Sequence, residues 1–366
     1  MDIYLPAILL SRHKREKSQE TLSSLQFFHS LRHGGSVMKT HLLGKNGPEV
    51  SEVGFGAMGI SDIYATSARK DDAEGEATIR EALDAGINLI NTGDFYGMGH
   101  NEMLVGRAIA GRRDQVVLSV KFGALRDPKG LWLGHDCRPA AVKNFCAYSL
   151  QRLGVDHIDL YQPARLDHDV PIEETVGAIA QLIREGKVKY LGLSEVTPGI
   201  LRRAHAVHPV TALEIEYSLS TRFIEGEILS VARELGVGIV AYGALSRGLL
   251  SGTFATSLPR GDFRAFTPRY SGQHLQANLA LVETLAEIAE SKGCTPAQLA
   301  IAWVLAQGDD IVPLIGTSRR DRLIENLGAL DVRLSSADLA LLDTAFPEGT
   351  FHGDRYPTAG MKFVAG

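Results

Sequence analysis

Ile90-Asn91-Thr92-Gly93-Asp94-Phe95-Tyr96-Gly97-Met98-Gly99-His100-Asn101-Glu102 is the stretch that decides the fold. The apolar residues Ile87, Leu89 and Ile90 end in small and polar residues, then a tyrosine, then a loop punctuated by Gly97 and Gly99. Helical spacing resumes from Glu102 to Ala110. A buried strand that runs through glycines into a helix is a β/α unit, and such units carry their chemistry just past the C-terminal end of the strand. Tyr96 is expected at that place.

Working outward, apolar strand-like runs alternate with helical patterns eight times. The strands are expected at Val53–Phe55, Ile87–Asn91, Val116–Lys121, Ile158–Gln162, Val188–Leu193, Ala212–Glu216, Gly238–Tyr242 and Ile311–Ile315. Helical patterns follow at Ala73–Ala85, Glu102–Ala110, Ala140–Leu153, Ile172–Glu185, Pro198–His208, Glu225–Leu235, Thr295–Ala306 and Arg320–Leu330. Near-continuous apolar strands joined by helical crossovers imply a parallel sheet covered on both faces. Eight units point to one closed (β/α)8 TIM barrel spanning residues 38–366, preceded by a β-hairpin that turns at Asn46-Gly47-Pro48. Residues 1–37 pair a short apolar run with the basic cluster Arg12, His13, Lys14, Arg15 and Lys17, and are expected to form a disordered extension. Phe122–Asp136 and Thr253–Gln276 are long loops after the third and seventh strands, hence candidate walls of a substrate site.

The formal charge of −5 over 366 residues, with no basic stripe through the body of the chain, argues against a nucleic-acid partner. No run is long and apolar enough to imply a membrane span. Three cysteines without C-x-x-C spacing show neither a disulfide framework nor a zinc site, so a reducing cytosol is the expected compartment. Gly54-Phe55-Gly56-Ala57-Met58-Gly59 has the bare spacing of a dinucleotide fingerprint but opens no helix, and P-loop, H-E-x-x-H and G-x-S-x-G motifs are absent.

Tyr96 and Lys121 each fall at a strand's end and should face the barrel mouth. A phenol of pKa ~10 is a poor acid at neutral pH, and a nearby ammonium would favour its ionised form. The pair is a candidate proton donor and its tuner.

These residues lie in segments that resemble the aldo-keto reductases. The central stretch is similar to that family's D-T-A-D-x-Y-G-x-G-x-N-E, and Val116–Gly123 to its T-K-F-G segment. The resemblance implies Tyr96 and Lys121 as catalytic residues, with Asn91 at the position of the family's catalytic Asp. It implies that Ser194, in Gly192-Leu193-Ser194, and Glu214, where a glutamine is common, contact a nicotinamide amide, and that Tyr242 stacks on the ring. Gly243–Gly252 is similar to the pyrophosphate loop, with Gly243, Leu245 and Arg247 as contacts. Pro313–Asn326 resembles the family's P-x-x-G-T…R…E-N signature, implying roles for Gly316, Thr317, Arg319, Arg322, Glu325 and Asn326. Arg319, Arg320 and Arg322 cluster at an expected helix start, where free N–H groups favour anions, and so point to NADP(H) rather than NAD. The implied activity is NADPH-dependent reduction of an aldehyde or ketone, with a small carbonyl compound as substrate and no metal.

Two positions depart from the family's Asp, Tyr, Lys, His tetrad. Asn91 replaces the Asp and Ala164 the His. Asp94 and His168 are the nearby residues that could substitute. Asn91 can hydrogen-bond Lys121 but brings no charge, and Ala164 brings only room. The rival expectation is a cofactor-binding regulatory or redox-sensing barrel with weak or no catalysis. An aldolase-type barrel using Lys121 as a Schiff base explains neither the arginine cluster nor Tyr242.

Overall fold

The computed structural model describes residues 38–61, 71–259 and 261–365. The expected N-terminal extension lies outside the described residues. Strands β1 (Thr40–Leu42) and β2 (Glu49–Ser51) form the antiparallel hairpin, closed by the Leu43 N–H donating to the Pro48 carbonyl at 2.9 Å. Eight parallel strands then close a barrel. They are β3 (Gly54–Gly56), β4 (Leu89–Gly93), β5 (Val117–Phe122), β8 (Ile158–Pro163), β9 (Val188–Ser194), β10 (Ala212–Glu216), β11 (Gly238–Tyr242) and β12 (Ile311–Gly316), in that order around the ring. The ring shuts where Gly316 of β12 pairs with Gly56 of β3. This is the (β/α)8 barrel expected from the eight apolar runs.

The expected loop after β5 is instead a second antiparallel pair, β6 (Ala124–Arg126) with β7 (Trp132–His135). Around the barrel stand α1 (Asp72–Asp84), α2 (His100–Ile109), α3 (Pro139–Leu153), α4 (Ile172–Arg184), α5 (Pro198–Val207), α6 (Glu227–Leu235), α7 (Gly272–Ser291), α8 (Pro296–Leu305), α9 (Arg320–Leu327) and α10 (Ser336–Ala345). Helices α7 and α10 were not anticipated. The expected loop to Gln276 runs only as far as α7, whose buried Leu275, Asn278, Val282, Leu285 and Ala289 follow helical spacing.

Strand alternation divides the core. Outward-facing residues such as Ile90, Leu118, Leu193 and Ile215 pack with the helices in one large apolar cluster. Inward-facing Leu89, Leu160, Ala212, Val240, Val312 and Leu314 fill the lower barrel, plugged from below by Leu43 and Val50 of the hairpin. Two residues further along β4, β8 and β10, the same inward register presents Asn91, Gln162 and Glu214. An apolar floor therefore carries a polar layer on top of it.

Packing outside the barrel is equally tight at α2. A Cβ on Gly106 would sit 2.5 Å from the Leu153 carbonyl at the end of α3. Replacing a mid-helix glycine by alanine normally stabilises by about 1 kcal/mol. Here the sign should reverse, because backbone cannot yield as a flexible side chain does. Gly106→Ala is expected to destabilise by about 1–3 kcal/mol in urea denaturation; a stabilised variant would show that α2 and α3 can separate freely.

Candidate active site

The polar layer is a hydrogen-bonded set, with only the Gln162 Oε1 left without a partner. Lys121 Nζ donates to Asn91 Oδ1 at 2.5 Å and to Glu214 Oε1 at 2.8 Å. Asn91 Nδ2 donates to Glu214 Oε2 at 2.7 Å and to Ser119 Oγ at 3.2 Å. Gln162 Nε2 also donates to Glu214 Oε2 and, at 3.4 Å, to Ser119 Oγ. The Asn91 amide is oriented by this chemistry, with its oxygen toward the ammonium and its nitrogen toward the carboxylate. Burial pulls the Lys121 amine below its ordinary value, and the Glu214 carboxylate pulls it back up. Neither suggested substitute joins the set. The Asp94 carboxylate accepts from the Gly123 N–H at 3.3 Å, and the exposed His168 ring faces the Lys362 carbonyl at 3.1 Å.

Tyr96 follows β4 and stands above this layer, its ring face 5.2 Å from the Lys121 ammonium and its edge against Phe95. Burial raises its hydroxyl well above 10; the Glu214 carboxylate adds to the shift and the Arg165 guanidinium opposes it. The expected tuning is thus modified. Lys121 spends its hydrogen bonds below the ring, and the phenol stays protonated across the neutral range. Left-handed backbone at Gly97, Met98 and Gly99 swings the chain from Tyr96 into α2. The remainder of the motif is a clasp. Asn101 accepts from Thr92 Oγ1 at 2.7 Å and donates to the Ala57 carbonyl at 2.9 Å, while buried Glu102 pairs with Arg152 at 2.5 Å.

Asp94, 8% exposed, has its carboxyl raised from 3.8 to about 8, first by burial and then by the Glu102 charge. The folded state therefore holds this proton more tightly than the unfolded chain does. Its contribution to stability is greatest in acid and declines as pH rises from about 4 to about 8, by at most ~1.4 kcal/mol per pH unit. Asp94→Asn should remove this decline, visible in denaturation midpoints compared near pH 6 and pH 9. Parallel pH profiles for variant and parent would count against it.

The barrel mouth is lined by a second charged cluster and by the chain's last residues. Arg355, 5% exposed, reaches Glu195 at 3.0 Å and Glu216 at 3.3 Å. Tyr242 donates its hydroxyl to Glu195 at 2.6 Å and meets the Tyr356 hydroxyl at 3.0 Å, which Arg165 also contacts at 2.9 Å. The Ala365 N–H donates to Glu195 at 3.0 Å, and the Phe363 ring lies 4.9 Å from His135 of β7. Burial lowers the His135 imidazole to about 4.

The residues implied for a cofactor are placed as follows. Ser194 Oγ, at the end of β9, is buried and has no hydrogen-bond partner, so it can take an amide. Glu214 is turned into the polar layer, where Lys121 donates to its Oε1 and Asn91 and Gln162 donate to its Oε2. The 243–252 loop is left-handed at Gly243, Ser246, Arg247, Gly248 and Gly252, a backbone shape that turns N–H groups toward an anion. Leu245 opens its short helical turn, and Arg247 donates to the Arg355 carbonyl at 2.7 Å. Gly316 ends β12, and Thr317 Oγ1 accepts from the Arg319 N–H at 3.2 Å. The arginines are already paired, Arg319 with Asp321 at 2.9 Å, Arg320 with Glu74 at 3.0 Å, and Arg322 with Glu325 at 2.6 Å. Glu74 also accepts the Arg320 N–H at 3.1 Å, so a carboxylate sits at the start of α9. Asn326 is buried in that helix.

The sequence matches the aldo/keto reductase family over residues 52–346. The chain belongs to that family. A probable aldo-keto reductase from Glycine max is 44% identical over 317 residues, 86% of this chain and 90% of the relative. A glycerol dehydrogenase from Gluconobacter oxydans superposes with a TM-score of 0.75 at 31% identity, covering 84% of this chain and 94% of that one. An aldo-keto reductase from Bacillus halodurans, solved in its holo form, gives 0.71 at 29% identity, covering 86% and 100%. As an aldo-keto reductase the protein is an oxidoreductase of carbonyl compounds. No described helix is long and apolar enough to cross a membrane. Motif reading assigned no site role to Gln162, Arg165, Glu195, Glu216, Arg355 and Tyr356 in this aldo-keto reductase. A signal for some of them was present. Glu214 and Glu216 stand in a strand whose every residue is buried, and buried carboxylates require cations or donors from elsewhere.

Proposed function

We propose that the protein reduces an aldehyde or ketone to the alcohol with NADPH, using Tyr96 as proton donor. The observation that carries the reading is the buried phenol set over the Lys121 ammonium at the C-terminal end of the barrel. A bound nicotinamide supplies the hydride to the carbonyl carbon. The chain's own residues do the rest. Tyr96 holds a proton that burial keeps on the phenol, and gives it up as negative charge grows on the carbonyl oxygen. Lys121, fixed beneath the ring, favours the phenolate left behind. Ala164, buried beside Arg165, offers no hydrogen bond to a carbonyl where the family's histidine would stand.

Ser194 and the 243–252 loop fit the amide and the pyrophosphate, and Arg322 and Arg319 fit a 2′-phosphate once it displaces their carboxylate partners. Glu74 occupies the Arg320 side chain and backbone N–H at the start of α9. Free cysteines at 137, 146 and 294 suit a reducing cytosol.

A cofactor-binding barrel with little catalysis is the second reading. Asn91 and Ala164 favour it. Consumption of NADPH and of NADH with a panel of reactive aldehydes separates the two. Turnover with NADPH, weakened selectively by Arg322→Ala, supports the reductase. Tight NADPH binding without turnover supports the regulatory reading.

A further inference from the structure

We infer that Glu214 is the counter-charge of Lys121, so that the negative charge supporting the donor pair lies on β10, across the barrel from the Asn91 position on β4. The inference rests on the reductase reading for its kinetic meaning, but its electrostatics stand on the polar layer alone.

Lys121 is 4% exposed, and an ammonium so far from water must be paired or lose its proton. Its two acceptors are Asn91 Oδ1, which is neutral, and Glu214 Oε1. Asp94, three residues beyond Asn91, faces the Gly123 N–H instead. Tyr96, Arg165 and Tyr356 are the remaining titratable or charged groups acting at this place, and none supplies a carboxylate. Glu214 is in turn satisfied only by this layer, since Lys121, Asn91 and Gln162 donate to its two oxygens. One cation and one anion thus make a neutral layer beneath Tyr96. Glu214 is a positioning residue acting through Lys121.

The assignment predicts a reciprocal exchange. Glu214→Gln alone leaves a buried ammonium facing only neutral acceptors. Asn91→Asp alone turns the 2.7 Å Asn91–Glu214 hydrogen bond into a contact of two carboxylates, one of which must hold a proton. The double variant Asn91→Asp/Glu214→Gln restores one anion at the ammonium and one amide donor between the two side chains.

The test compares the four proteins in two readouts, aldehyde reduction with NADPH across pH and the melting temperature without cofactor. Glu214→Gln should lose roughly 10–100-fold in kcat with KM for NADPH little changed, and should melt about 5–10 °C lower. The double variant should recover most of both losses, and Asn91→Asp should add an ionisation near neutrality to the kcat profile. If Glu214→Gln does not fold, Lys121→Met in the same chain removes the orphaned ammonium and should restore folding. A double variant as impaired as Glu214→Gln in both readouts, or persistent misfolding with Lys121→Met, overturns the assignment. Should the parent protein reduce no aldehyde, the reductase reading fails, while the melting comparison still decides whether Glu214 balances Lys121.

Discussion

Tyr96→Phe is expected to lower kcat for carbonyl reduction by about 10³-fold, near the middle of the range for losing a positioned general acid. The substitution removes one hydroxyl and retains the ring. The contact of the ring face with the Lys121 ammonium and its edge against Phe95 should both survive, so the denaturation midpoint should barely move. Burial is what makes the loss large. Tyr96 is 6% exposed, and the residues around it leave bulk water poorly placed to supply the missing proton. KM for NADPH should change little, because the hydroxyl serves the reacting oxygen rather than the cofactor-holding loops. Single-turnover reduction with excess enzyme checks the chemical step directly. Undiminished turnover in the variant would transfer the donor role to another group, such as the Lys121 ammonium 5.2 Å from the ring.

The barrel was legible because parallel strands covered on both faces must be apolar almost throughout, and each of the eight runs lies within two residues of its strand. Periodicity is a local signal, and strand alternation carried it as far as placing Tyr96 and Lys121 at the active end. It did not reveal the hairpin of β6 and β7, because Trp132, Leu133 and their neighbours are partly exposed and lack the apolar run of a buried strand. The polar layer was hidden for a different reason. Glu214 meets Asn91 and Lys121 across 123 and 93 residues of chain, and only barrel closure brings them together. Reading position by position identified a missing charge at Asn91 and an extra one at Glu214 without showing that they share one ammonium. The arginines near α9 were equally visible in sequence, but Glu74, the partner of Arg320, comes from α1, some 246 residues away.

The same non-local logic makes Arg355→Leu the most destabilising single change expected at the barrel mouth. Arg355 lies between Glu195 and Glu216, two buried carboxylates at the ends of β9 and β10. Glu216 would keep Arg247 at 3.7 Å and Arg269 at 3.6 Å, whereas Glu195 would keep the Tyr242 hydroxyl and two backbone N–H donors. Leaving a carboxylate without its guanidinium in such a place costs about 3–5 kcal/mol, measured as ΔG in urea near pH 7. The pH dependence follows in sign. Burial pushes the Glu216 carboxyl up, but Arg355, Arg247 and Arg269 outweigh it and hold the group below its usual 4.5. Stability of this kind is present above the unfolded-state value and is lost as pH falls through the lower folded-state value. The difference between parent and variant should therefore be complete at neutrality and shrink in acid. Glu195→Gln in the Arg355→Leu background removes the orphaned charge and should recover much of the loss. A deficit that is unchanged in acid and unrelieved by Glu195→Gln would mean that Arg355 holds the C-terminal residues by packing against Phe223 and by its bond to the Ala365 carbonyl, rather than by charge.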